Sequence, residues 1–158
     1  MSETIVPARF QPDLPRERLI LTDAPDPEAI EMDVVFVGAG PAGLAGAIEL
    51  ARLAREDGEA GGDLGDLQVA VLEKAASLGE HSLSGAVVNP RAFRELFPDV
   101  PTAELPFRQE VRGEQVLLLT EGRAQRIPTP PSMRNHGFYT ASICEVVRWL
   151  GERAEAAG

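Results

Sequence analysis

The stretch DVVFVGAGPAGLAGAIEL, residues 33–50, narrows the possible folds more than any other part of this sequence. After Asp33 comes an unbroken β-branched and aromatic run, Val34 to Val37, which predicts a strand over 33–37 buried on both faces of a parallel sheet. Gly38-Ala39-Gly40-Pro41-Ala42-Gly43 then matches G-x-G-x-x-G at the place where that strand gives way to a helix. Pro41 suits a first helical position, where its missing N–H would have been unpaired anyway. Leu44, Ala47, Ile48, Ala51 and Ala54 recur at helical spacing and carry the predicted helix to about Arg55. A glycine-rich acidic turn follows over 57–66, and QVAVLE at 68–73 reads as a second buried strand. Strand, glycine turn, helix and parallel strand make a right-handed βαβ unit. The fold class expected is α/β, a Rossmann-like βαβ fold of the FAD/NAD(P)-binding kind.

Each motif residue has a physical task. Gly38 allows the tight turn, Gly40 lets backbone approach a pyrophosphate, and Gly43 allows the helix to pack closely on the strand. Unpaired N–H groups at the helix start, with the positive end of its dipole, attract the diphosphate. Glu73 closes the second strand and is placed to accept hydrogen bonds from the adenosine ribose. Its carboxylate would repel a 2′-phosphate, which disfavours NADP, but the unit by itself does not separate FAD from NAD.

Beyond the unit, residues 90–97 read as a short helix opened by Asn89 and Pro90, and QVLLL at 115–119 with 125–127 reads as an inserted β-hairpin turning at Glu121 and Gly122. The last helix is announced by Ser142 and Glu145, spaced as a capping box. Its apolar face is Ile143, Val146, Val147, Leu150 and Ala154, and Trp149 on it reads as a packing residue. A helix of this kind ordinarily feeds a further strand, so the sequence is expected to be an incomplete, amino-terminal part of a longer protein. Residues 1–32, with five prolines and no apolar periodicity, read as a loosely ordered acidic arm, and 33–158 as a partial dinucleotide-binding domain.

Composition excludes several function classes. A formal charge of −10 with no basic stripe argues against nucleic acid. The single cysteine, Cys144, excludes an internal disulfide and a cysteine-held cluster within this chain. No apolar run approaches a membrane span, and the opening residues lack the apolar centre of a signal peptide. There is no G-x-S-x-G elbow and no metal-spaced cluster, so no catalytic or metal-ligating residue is assigned. His81 and His136 are read as structural hydrogen-bonding residues.

Three blocks carry a family resemblance: DVVFVGAGPAGLAGAIEL, then EKAASLGEHSLSGAVVNPRAFRELFPD, then MRNHGFYTASICEVVRWLGERAEAAG. Together they resemble the amino-terminal part of electron transfer flavoprotein–ubiquinone oxidoreductases. The first block is shared by many flavoproteins; the second is specific, with Gly79, His81, Leu83-Ser84-Gly85-Ala86, Pro90 and Phe93 in family order. The resemblance covers about 32–158 and implies an FAD-dependent enzyme that takes electrons from reduced electron transfer flavoprotein and passes them to ubiquinone. It implies FAD on Gly38, Ala39, Gly40, Pro41, Ala42 and Gly43, with Glu73 at the ribose and Lys74 beside it. The loop Ser82, Leu83, Ser84, Gly85, Ala86 is implied to run toward the flavin end. A 4Fe-4S cluster, the quinone site and contact with the membrane surface are implied for the missing remainder, and the setting for a bacterial cytoplasm peripheral to the inner membrane. One departure is Ala141-Ser142, where the family pattern has Arg-Leu. Two other readings stay open: an FAD-dependent reductase or hydroxylase of the geranylgeranyl reductase type, and a truncated product without activity of its own.

Overall fold

A computed structural model describes residues 13, 15–20, 22 and 26–158. Contacts divide the chain into Met1–Glu31 and Met32–Gly158. Among its described residues the first unit holds a short helix, α1 (Arg16–Leu19). The expectation of a loosely ordered arm over 1–32 falls largely on residues outside those described.

The second unit is mixed α/β with three small sheets. Strands β1 (Val34–Val37) and β2 (Val69–Leu72) pair in parallel, Val34 opposite Val69 and Val37 opposite Leu72, with helix α2 (Pro41–Glu59) between them in the chain. The ladder starts where the Asp33 side chain accepts the Gln68 N–H at 2.8 Å. The strands are not buried on both faces as their composition suggests. Phe36 packs inward with its ring against Gly46, whereas Val37 is 86% and Leu72 55% exposed. A two-stranded sheet has helices to cover only one of its faces.

Helix α2 also overruns its expected end near Arg55 and takes in the first residues of the predicted acidic turn. Gly61 stops it. With φ at +80° it turns the chain left-handed, donating to the Gly58 carbonyl at 3.1 Å while Gly62 donates to Asp57 at 2.8 Å. This is the paired closure that satisfies the last carbonyls of a helix.

The second sheet has no counterpart in the sequence reading. Strands β3 (Gly85–Val88), β4 (Gln109–Glu110) and β7 (Tyr139–Ser142) form an antiparallel sheet in the order β3-β7-β4. Helix α3 (Arg91–Leu96) follows β3, with the Asn89 side chain accepting the Arg91 N–H at 3.1 Å. The expected hairpin is present as β5 (Val116–Thr120) and β6 (Arg123–Ile127), turning at Glu121 and Gly122.

Helix α4 (Ile143–Ala157) leaves β7 directly. Ser142 is its N-cap, but the capping box does not form: the Ser142 side chain makes no capping bond, and Glu145 pairs instead with Arg108 at 2.6 Å. The core lies where α4 meets α2, with Leu44, Ile48, Val146, Val147 and Leu150 at its centre. Trp149 packs edge-on against Phe97 at 4.9 Å between ring centres, beside Phe93 and under Arg153. Among the described residues no helix is long and apolar enough to cross a membrane.

Candidate functional site

The glycine turn is built from its own residues. Gly38 has φ at +106°, a region that side chains disfavour, and its N–H donates to the Leu72 carbonyl at 2.7 Å, tying the turn to the end of β2. A Cβ on Gly43 would collide with the Gly38 carbonyl oxygen, so α2 could not start so close to β1 with any larger residue. Gly40 differs: its φ of −77° suits any residue, and a Cβ there would meet nothing within 4 Å. Its missing side chain leaves open space above the helix start. Pro41 brings no N–H to that space, and the N–H groups of Gly40, Ala42 and Gly43 have no partner among the described residues.

Glu73 stands across from this opening. Its carboxylate accepts the Ala39 N–H at 3.1 Å and the Ala75 N–H at 2.9 Å. The Ala75 N–H lowers its pKa below the ordinary 4.5, helped by the Ala39 and Lys74 N–H groups and a nearby His81, against a desolvation that raises it. A carboxylate offers about four acceptor positions, and those the N–H groups leave free can take hydroxyl donors.

An open groove of ≈ 500 Å³ joins these parts. Gly38, Ala39, Gly40, Glu73, Lys74 and Ser82 line it, completed by Val37, Leu72, Gly79 and His81. Pro41 faces another groove with Phe93 and Leu96, while Ala42 and Gly43 form the start of α2 behind the opening. Leu83 is 87% exposed. Gly85 and Ala86, expected as loop, are the first residues of β3, opposite Ser142 and Ala141, so their backbone belongs to a sheet. The stretch to which loop geometry applies therefore ends at Ser84.

That loop is held by α4. Ile143 N–H donates to the Ser84 carbonyl at 2.8 Å, the Cys144 thiol to Ser82 at 3.2 Å, and Arg148 Nε to Leu78 at 3.3 Å. The Ser84 carbonyl thus takes up the first N–H of α4, one of the donors that a helix start leaves unpaired. Gly79, buried with φ at +80°, rests so close to Cys144 that a Cβ would lie 2.7 Å from the Cys144 carbonyl oxygen. Gly79 was missed as a site residue, although its place between Leu78 and Glu80 in a run of turn-forming residues is a sequence signal. His136 lies away from the groove, its Nδ1 3.2 Å from the Arg112 carbonyl. Among the described residues no group of three or more His, Cys, Asp or Glu could hold a metal ion.

No family model matches the chain. It is similar to curated proteins named electron transfer flavoprotein-ubiquinone oxidoreductase, mitochondrial: 45% identical over 86% of this chain to one from Dictyostelium discoideum, and 46% identical over 82% to one from Mus musculus. It is also 45% identical over 81% of its length to a probable electron transfer flavoprotein-ubiquinone oxidoreductase from Acinetobacter baylyi. The matched segment spans only 20–22% of these three relatives. The chain is therefore a relative of the electron transfer flavoprotein–ubiquinone oxidoreductase family, over a segment about a fifth the length of its members.

Proposed function

We propose that this chain supplies the adenine-dinucleotide end of an FAD site in an electron-transfer oxidoreductase. The observation that carries the proposal is one groove that has Gly40, at the start of a helix with unpartnered N–H groups, on one side and the twice-bonded Glu73 carboxylate on the other. In this reading Gly40, Ala42 and Gly43 receive the pyrophosphate on backbone N–H groups, helped by the dipole of α2. Glu73, fixed by Ala39 and Ala75, accepts the ribose hydroxyls, and Lys74 stands beside it at the mouth. Ser82 and the loop up to Ser84 border the path toward the flavin, with Gly85 and Ala86 continuing it as a strand. Bound FAD supplies the one- and two-electron chemistry that protein side chains lack.

The relatives' name extends the reading to the whole protein: electrons enter from reduced electron transfer flavoprotein and leave to ubiquinone. The 4Fe-4S cluster of that family does not fit this chain, whose one cysteine cannot supply four thiolates, so the cluster is assigned to other parts of the protein, and the contact with the membrane surface is proposed to lie there too. The setting proposed is the cytoplasmic side of a bacterial inner membrane, and 33–158 is proposed as the cofactor-binding part.

Gly40→Val tests the site. The added side chain meets open space, so folding should be unaffected, yet it fills the space above the helix start. In the complete protein, FAD titration followed by fluorescence quenching should show tight uptake by the wild type and a loss of at least about 100-fold in the variant. A wild-type protein that takes up no flavin, or a variant that binds it as the wild type does, contradicts the proposal.

A further inference from the structure

We propose that Cys144 and Arg148 are positioning residues for the groove: from α4 they hold the carbonyls of Ser82 and Leu78, and thereby fix the rim formed by Gly79, His81 and Ser82. The inference rests on the reading of that groove as a dinucleotide site. Within itself the loop has only two backbone hydrogen bonds, Glu80 N–H to Ser77 at 3.3 Å and Ser82 N–H to Gly79 at 3.1 Å. Leu83 points into solvent and adds no packing anchor. The loop is secured from α4: the Ile143 N–H holds its Ser84 end, Leu78 packs against Gly151, and the two side-chain donors come from 62 and 70 residues further along the chain. A segment with few internal contacts opens locally at small cost, so its donors on α4 set how often the rim is in place. Arg148 is exposed and Cys144 only half-buried, so their loss costs the fold little and the effect falls on the loop.

Neither residue touches the groove's occupant in this account; both act through backbone carbonyls. The matter is decided in the complete protein with the double variant Cys144→Ala/Arg148→Ala, and with Cys144→Ser, whose hydroxyl can donate to the same carbonyl. The double variant should bind FAD about tenfold more weakly, as two lost hydrogen bonds of ordinary net strength imply. Amide exchange should rise over 78–84 and stay unchanged over 40–44, and Cys144→Ser should keep wild-type affinity. FAD affinity within about twofold of wild type, or a loss of affinity without faster exchange at 78–84, overturns the proposal. If the wild-type protein takes up no FAD, it is the reading of the groove that fails, and exchange at 78–84 in the same variants still decides whether α4 holds the loop.

Discussion

The two walls of the groove are built in different ways. The glycine turn is closed by neighbours on one βαβ stretch: Gly38 bonds Leu72, Gly43 abuts Gly38, and Glu73 bonds Ala39. The opposite wall, 78–84, makes almost no bonds of its own and takes its shape from the first turns of α4. One wall is therefore fixed once β1, α2 and β2 have formed, whereas the other waits for the carboxyl-terminal part of the chain. The contrast separates perturbations that destroy the site from those that only loosen it.

The largest effect should come from Gly43→Ala. Its methyl collides with the Gly38 backbone, which has nowhere to move without separating α2 from β1, and the cost should be about 3 kcal/mol. Denaturant unfolding of the complete protein would show it, together with lost flavin uptake; a variant with an unchanged midpoint would break the idea of a self-contained turn. Gly79→Ala meets both a left-handed φ and the Cys144 backbone, and should cost about 2 kcal/mol. Here the distinguishing sign is where the damage lies: faster exchange over 78–84 and the start of α4, with the glycine turn still protected.

Glu73 gives an intermediate effect with a defined pH dependence. Its folded-state pKa is depressed, chiefly by the Ala75 N–H, so its contribution is fully present above the ordinary 4.5 and is lost as pH falls through the lower folded value. Glu73→Gln should weaken FAD binding about tenfold near neutral pH, and the difference from wild type should vanish only as the pH falls through the depressed folded-state value. A gap that persists unchanged into acid would mean that the carboxylate charge is not what matters. The smallest effect belongs to Ser142→Ala. A working N-cap serine is worth about 1 kcal/mol, but the Ser142 side chain makes no capping bond, so the loss here should be under about 0.5 kcal/mol by thermal unfolding.

The same contrast explains what could be read from the sequence. The βαβ stretch was legible because its signals are local: a Val-rich run, a glycine hexapeptide, helical spacing of Leu44, Ala47 and Ile48, and a terminal acid. The hairpin was legible for the same reason, since Thr120 and Arg123 are partners across a two-residue turn. The β3-β7-β4 sheet was not. Its strands are short and poor in large apolar residues, and the partners Val88 and Tyr139 lie far apart in the chain. No local period marks such a pairing. That hidden sheet also turned Gly85 and Ala86 from loop into strand. The capping box failed in the same manner: Ser142 stands at the right place, but the Glu145 side chain that would complete the box is drawn to a distant partner, Arg108. Candidate residues on the self-contained wall could thus be picked by motif, whereas the hold of Cys144 and Arg148 on Ser82 and Leu78 emerged only with the fold.

Amide exchange of the complete protein with and without FAD puts the central claim, that these two walls enclose one cofactor site, to the most direct test. Added FAD should raise protection at Gly40, Ala42 and Gly43 and, in the same experiment, across 79–82. Protection confined to one wall, or to neither, would contradict the account.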